Sequence, residues 1–598
     1  MKVKTKLGED IEMITKTERL TRPASGSVDD NSRSLGDAAV DMAKRFCMTP
    51  VSRRAWLVGL GLAVGIIFAA LVFTGVLGAG VASAQNAHFS TQTLSGYQQW
   101  IEHLASQNYT VVQGNVFLMM NSECPTFVAI FESCFGNNPA APYIIPQPPI
   151  EDSYVDPYYA VQLETPSPDG LTNIIYRLGN HDALVTIISY PPKAAYLGYQ
   201  SYVFTREISD YAGITPPRPP TPSPDPSRYD IFGSIGNDVN SVIVQNQIGS
   251  PPWGGTVVMY LTTPNQHLAH ALIANARRHG INPHSMFVEP VGSNVLTGND
   301  ASADDLVTLM RYAVPESPTA ASEWQNALSS NVLVYKVTNP KIAVARFGAN
   351  QYTAHVTNTD ETGLTTALQQ LAALLQTYLA ETQTPSDTAA SQQTEATVED
   401  DANGIPTAGL VGSACIADGV NCLGDNQDTS TYATLLNSVL LLGPEETAFI
   451  AGVNHSVESV NNNHYVSVDI NNASNVSGVA SASQTNPIAV GFDSGFLTGS
   501  AQQVLTALGI TIPPEDTELT ENLSKLYVTF IARNCQNATI AAANAYCIDL
   551  MGSSLIPLDD PISIIERSYV VPGTTAGGNP AEMVYPYIIA ATHSFIAK

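Results

Sequence analysis

The run from Val58 to Val81 carries no charge and a single hydroxyl, Thr74, and it constrains this chain more than any other stretch. As a helix it is long enough to cross a bilayer core of about 30 Å. It contains Gly59, Gly61, Gly65, Gly75, Gly78 and Gly80, a glycine load that membrane helices tolerate better than soluble ones. Arg53 and Arg54 flank it, and such basic flanks stay on the cytoplasmic side. Ala82-Ser83-Ala84 then supplies the small-x-small pattern that a signal peptidase cuts. Everything from Gln85 onward is therefore expected outside the cytoplasm. It is either released after Ala84 or tethered to the membrane through residues 56–81; the same features serve both outcomes.

Ser52-Arg53-Arg54-Ala55-Trp56-Leu57, with the glycine-rich stretch behind it, resembles a twin-arginine signal. Trp56 stands where phenylalanine is commoner. The other reading is an uncleaved signal anchor with ordinary flanking arginines. Residues 1–51 are polar and lack apolar periodicity up to a compact signal-like start at Met48. They are expected to be a disordered cytoplasmic tail or sequence upstream of the true start, with residues 52–84 as signal peptide or transmembrane anchor.

Removing residues 1–84 changes the charge. They hold 11 Lys+Arg and 8 Asp+Glu, so the exported part keeps 26 − 11 = 15 basic and 53 − 8 = 45 acidic residues, a net of −30. Five lysines remain there: Lys193, Lys336, Lys341, Lys525 and Lys598. A field of that sign repels nucleic acid and anionic lipid, so no nucleic-acid partner is expected. With 44% hydrophobic residues in the chain, the exported part has enough apolar material to fold into several domains.

Cys47 lies before the apolar run, and the other six cysteines fall in close sequence pairs: Cys124 with Cys134, Cys415 with Cys422, Cys535 with Cys547. An even number in an exported chain points to disulfides, and three local ones are the simplest of the fifteen pairings. Zinc is disfavoured, because the spacings lack C-x₂₋₄-C knuckles.

Two soft segments divide the exported part. Thr215–Arg228 is proline-rich and reads as an extended surface loop. Residues 384–404, rich in Ser, Thr, Gln, Ala and acidic residues, read as the linker between an α+β domain at 85–383 and a β-rich domain at 405–598. In the first domain, Ala183–Tyr190, Ser201–Arg206 and Thr256–Leu261 are expected as strands, as are Tyr159–Leu163 and Asn173–Arg177. A helix is expected over Asn265–His279, ended by Gly280, with a return strand at Ser285–Val291. Helices are also expected at Asp304–Tyr312, Ala320–Ser329 and Asp360–Glu381, the last with one leucine stripe and closing the first domain. In the second domain, Ala448–Val453, His464–Ile470, Ile488–Phe492, Leu526–Ile531 and Ser568–Val571 read as strands of an antiparallel sandwich, with a short helix at Gly499–Leu508. No fixed-period internal repeat is found.

Four constellations are candidates for chemistry. His267 and His270 lie three apart on the expected helix, with His279 and His284 following; neutral imidazoles so spaced ligate transition metals. The apolar stripe faces elsewhere, so a solvated face is the plainer reading. Asp425, Asn426 and Asp428, in the loop that follows the Cys415–Cys422 pair, offer hard oxygens to calcium. The competing reading is turn chemistry, with Asp428 capping a helix that begins near Thr431. Asp493-Ser494-Gly495 lacks the flanks of a nucleophile elbow and reads as a turn. Asn454-His455, at a strand end, is either a ligand contact or a hydrogen-bonded structural pair. No phosphate-cradling glycine loop or dinucleotide fingerprint occurs.

The stretch from Cys422 to Thr429, Gly452-Val-Asn-His455 and Arg567-Ser-Tyr-Val-Val-Pro572 together resemble a family of large, uncharacterised exported bacterial proteins. The segment ending in Pro264 and the Gly280-Ile-Asn-Pro283 segment are similar in style. The resemblance carries no activity; it implies that the two halves belong to one architecture. The expectation is a disulfide-stapled α+β protein that binds a cell-surface or small-molecule ligand outside the cytoplasm. The alternative is a secreted metal-assisted hydrolase built on Asp425 and Asp428 or on the histidines, with calcium as the candidate cofactor.

Overall fold

The computed structural model describes residues 91–596 apart from internal segments, the longest being 151–164, 383–391, 396–411, 482–491 and 536–544. The candidate signal or anchor at 52–84, the tail before it and the expected strand Tyr159–Leu163 lie outside the described residues. So does nearly all of Ile488–Phe492. Among the described residues, no helix is long and apolar enough to cross a membrane.

The first half runs α1 (Thr91–Ser106), β1 (Thr110–Gln113), β2 (Asn115–Met119), α2 (Cys124–Phe131), β3 (Tyr143–Gln147), β4 (Asp182–Ser189), β5 (Ala194–Glu207), β6 (Arg228–Ser234), α3 (Ser241–Ile248), β7 (Val257–Thr263), α4 (Gln266–Arg278), β8 (Met286–Pro290), β9 (Asp305–Pro315), α5 (Pro318–Asn326) and β10 (Val332–Thr338). The second runs α6 (Thr365–Thr382), β11 (Gln392–Glu395), α7 (Gly412–Asp418), β12 (Thr429–Ala433), β13 (Thr447–Val453), β14 (Tyr465–Asn472), β15 (Ser477–Ser481), α8 (Ser500–Leu508), β16 (Leu526–Ala532), β17 (Cys547–Asp549), β18 (Ile562–Tyr569) and β19 (Tyr587–Ala590). Shorter strands lie between them.

The two halves repeat one topology. One sheet has the order β1-β10-β4-β7-β8 and its counterpart β11-β19-β13-β16-β17. In each, the last pair is parallel and the others are antiparallel. A second sheet contains β3-β9-β5-β6, and its counterpart β12-β18-β14-β15. Register aligns the copies residue by residue. Tyr196 pairs with Ala313, and Tyr465 with Tyr569. Two positions earlier on the partner strands stand Arg311, opposite Tyr143, and Arg567, opposite Thr431. Five residues before Tyr143 and Thr431 come Asn138 and Asn426, each ending a Cys-[Phe/Leu]-Gly-[Asn/Asp]-Asn run that starts at Cys134 or Cys422. The duplication escapes a fixed-period search because the insertions between equivalent strands differ in length.

Each half stacks helices on sheet on sheet. In the first half, α1 and α4 cover β4, β7 and β10 through Trp100, Leu104, Leu268 and Leu272. Leu184, Ile188, Val258, Leu197, Val203 and Met310 fill the space between the sheets. In the second half, α6 and α8 cover β13, β16 and β19, and Ile450, Val466, Val468, Ile531 and Ile564 fill between the sheets. Asn265 starts α4 by accepting from the His267 and Leu268 N–H groups, and Gly280 follows it at φ 80°. The β7–α4–β8 unit is the expected strand–helix–strand.

Several expectations are corrected. Asp304–Tyr312 is not a helix but most of β9, which joins β3 to β5. Leu306, Leu309 and Met310 imitate helical spacing because β9 is buried on both faces and cannot alternate. Helix α6 does not close the first half; its leucines Leu368, Leu371 and Leu375 pack with Phe449, Val528 and Ile589 of the second. Gln392–Glu395, inside the expected linker, pairs with β19. Asp428 precedes a strand, β12, rather than a helix. The fold class stands as α+β.

A candidate binding cleft at the seam between the halves

The duplicated sheets meet along β5 and β9 on one side and β14 and β18 on the other, within one compact unit. Tyr196 lies against Tyr569 (ring centroids 4.8 Å apart), and Tyr465 stacks on Tyr569 at 5.0 Å. Ala313 and Val570 complete this apolar contact.

The second half lends a disulfide-closed segment to the first, and the first half reaches back through Asn138, just past its own disulfide-closed segment, which packs in the first half's core. All three expected bonds are present: Cys124–Cys134, Cys415–Cys422 and Cys535–Cys547. Such bonds fit an oxidising compartment. Asn138 donates to the Tyr465 hydroxyl (2.9 Å) and the Ser467 hydroxyl (3.1 Å). From the second half's segment, Cys422 N–H donates to the Ile231 carbonyl and Gly424 N–H to the Phe232 carbonyl, both at 2.8 Å. The Asn426 side-chain oxygen accepts from the Tyr202 hydroxyl at 2.5 Å. Cys415, Ile416 and Val420 are buried in the first half's core. Gly412 is required there, since a Cβ would meet the Ser234 backbone at 2.0 Å.

Charged groups are buried at this seam. The Tyr196 hydroxyl reaches Asp428 at 2.6 Å and Asp238 at 3.0 Å. Burial, then the neighbouring Asp428, holds the Asp238 carboxyl well above the usual range. Arg311 donates to Tyr202 (3.0 Å) and sits over the Tyr143 ring, 5.6 Å from its centroid; its counterpart Arg567 pairs with Asp469.

A cleft of about 440 Å³ opens beside the seam and is walled by both halves. The turn that carries Trp253 is held by Gly254 N–H on the Pro191 carbonyl and Gly255 N–H on the Tyr190 carbonyl, and the Trp253 ring packs on Tyr190 at 5.3 Å. Glu316 N–H donates to the Lys193 carbonyl at 2.9 Å, and the two side chains form an exposed ion pair at 2.5 Å. Ser241 and Gln245 enter from α3, Val314 from the end of β9, and His464 from the second half. Sequence reasoning missed this site. Its residues are dispersed, and the one available signal was rarity: Trp253 is one of four tryptophans and Lys193 one of five lysines after residue 84.

The residues singled out from sequence do not gather into a metal site. Asp425 accepts from Ser234 N–H, the Ser234 hydroxyl and Gly412 N–H, all at 2.8 Å. Asp428 accepts from Tyr196, from Asn240 at 3.1 Å and from Thr429 at 3.1 Å. With Asn426 turned to Tyr202, the three side chains serve three different partners, a donor set that does not fit calcium. His267 and His270 are exposed on α4, and His267 Nδ1 lies 3.2 Å from the Ala343 carbonyl. Among the described residues, no three His, Cys, Asp or Glu groups are placed to hold a metal. His455 is fully buried, 2.8 Å from Glu361 and 3.7 Å from Glu566. Burial alone would lower its pKa, but the two glutamates raise it to about 10, which makes it a structural cation. Ser494 and Gly495 lie outside the described residues.

No family model and no curated protein matches this chain. Among solved structures, it is similar to an uncharacterized protein from Burkholderia cenocepacia, with a TM-score of 0.31 and 9% identity over 83% of this chain and 87% of that one. It is also similar to the VPA0106 protein from Vibrio parahaemolyticus, with a TM-score of 0.32 and 10% identity over 83% of this chain and 96% of that one.

Proposed function

We propose that residues 85–598 act outside the cytoplasm as a binding protein whose small ligand seats in the cleft beside the seam. The observation that carries this reading is the composition of the cleft: one indole, one ion pair, one imidazole and side-chain amide and hydroxyl groups among apolar residues. A concave site with an aromatic wall and a few polar groups is the usual form of a small-molecule site. The buried carboxylates and arginines nearby are held within the seam: Asp238 and Asp428 accept from Tyr196, Arg311 donates to Tyr202, and Arg567 pairs with Asp469. Export rests on Arg53, Arg54 and the run after them, supported by the three disulfides.

Trp253 supplies the test. Trp100 and Trp324 are 0% and 1% exposed, whereas Trp253 is half-buried in the cleft. The difference in emission between the full chain and its Trp253→Phe variant isolates the cleft signal. Acrylamide quenching of that component is expected to weaken when the dialysable small-molecule extract of the producing cells and their medium is added. Unchanged quenching contradicts the reading.

A further inference from the structure

We infer that the cleft takes a neutral saccharide, an inference that rests on the binding reading above. Three features select this class. First, Lys193 and Glu316 neutralise each other at 2.5 Å, so the site asks for no net charge. The exported part carries 26 − 11 = 15 basic against 53 − 8 = 45 acidic residues, and its field opposes an anionic ligand.

Second, the polar groups mix both hydrogen-bonding senses. The Lys193 ammonium donates, the Glu316 carboxylate accepts, and the Gln245 amide and Ser241 hydroxyl do both. A ring of hydroxyls, each a donor and an acceptor, satisfies such a set; a hydrocarbon would leave it unpaired. Third, apart from the His464 imidazole, the remaining wall is apolar, with Trp253, Val242, Val314 and Pro315. The C–H face of a sugar ring fits against an indole while its rim faces the polar groups. A peptide with free termini would have to split the Lys193–Glu316 pair to find partners for both charges, which a neutral sugar need not do.

The experiment again reads acrylamide quenching of the Trp253 component. The probes are maltotriose, cellotriose, triacetylchitotriose, trialanine, and the small-molecule extract before and after periodate, which cleaves vicinal diols. At least one trisaccharide is expected to protect Trp253 about twofold, a saccharide-filled site being largely closed to quencher. Periodate is expected to abolish protection by the extract. Glu316→Gln is expected to weaken trisaccharide binding about tenfold, the effect of losing a charge-assisted hydrogen bond. Protection by trialanine alone, or by an extract that survives periodate, overturns the saccharide class and leaves the binding reading standing. Protection by no probe and no extract overturns both. Circular dichroism of Glu316→Gln and Trp253→Phe checks that each variant is folded; both positions are on the surface and neither side chain is fully buried.

Discussion

Val314 and Val570 are counterparts, each following the strand residue paired with a seam tyrosine, and both have positive φ, 51° and 47°. A β-branched residue in that region is a backbone outlier. Its recurrence in both copies ties the conformation to the seam rather than to local sequence, since Ala-Val-Pro surrounds one and Tyr-Val-Val the other.

The two valines should respond differently to glycine. Val314 is half-buried and Val570 is 1% exposed. Val314→Gly relieves about 1–2 kcal/mol of left-handed strain for a modest loss of contact, and is expected to be neutral or mildly stabilising. Val570→Gly also gives up a buried side chain worth about 1.5–3 kcal/mol, and is expected to be neutral to destabilising. Urea unfolding of both variants checks the order.

The second-half segment should be a structural clasp and not a calcium site. Asp425→Ala leaves the Ser234 and Gly412 N–H groups without their acceptor and is expected to cost about 1–3 kcal/mol. Melting in calcium and in chelator should coincide. A real site at a hundred times its dissociation constant would add about 2.7 kcal/mol, and a shift lost in Asp425→Ala would restore the metal reading.

Breaking the clasp covalently gives a related expectation. Replacing Cys415 and Cys422 by serine together should cost about 2–3 kcal/mol, by the chain-entropy account. Hydrogen exchange should rise first at Ile231 to Ser234, the strand to which Cys422, Gly424 and Asp425 are bonded.

Stability should fall as pH rises. Burial pushes Glu289 and Asp230 up to about 7 and Asp425 up to about 6. In the unfolded chain these groups titrate near 4. Between about pH 4 and 7 the native state therefore binds more protons, and the slope of stability with pH is negative. His455, raised to about 10, extends the fall from about pH 6.5 upward. His355, lowered by burial, acts in the opposite sense below about pH 6.5. Melting is expected to be higher at pH 5 than at pH 8. Glu289→Gln keeps an acceptor for the Ser201 N–H, while the Ser201 and Thr262 hydroxyls, which donate to Glu289, must turn to accept from the new amide. It is expected to shrink the difference by about 1–3 kcal/mol.

Much of the fold was legible from residue to residue. The β7–α4–β8 unit announced itself through Asn265, Gly280 and flanking β-branched runs, and the leucine stripe of α6 through its spacing. The disulfides followed from proximity in sequence. What failed was information held between distant segments. β9 looks helical because a strand buried on both faces loses its alternation. The destination of α6 depends on β13, β16 and β19, which lie at residue 447 and beyond. Asp425 and Asp428 looked like free oxygens because their donors, at Ser234 and Tyr196, come from the other half. The cleft likewise joins residues from 193 to 464 that no local pattern connects.

Two copies of one architecture are locked together by exchanged segments, and that lock is open to experiment. It is tested most directly by inserting a protease site between residues 396 and 411 of the full chain and cutting it after folding. The fragments are expected to remain one particle by native sedimentation and to unfold in a single transition, because α6 stays with the second half while the Cys415–Asp428 segment stays on the first. Fragments that separate without denaturant, or that melt independently, would contradict the account.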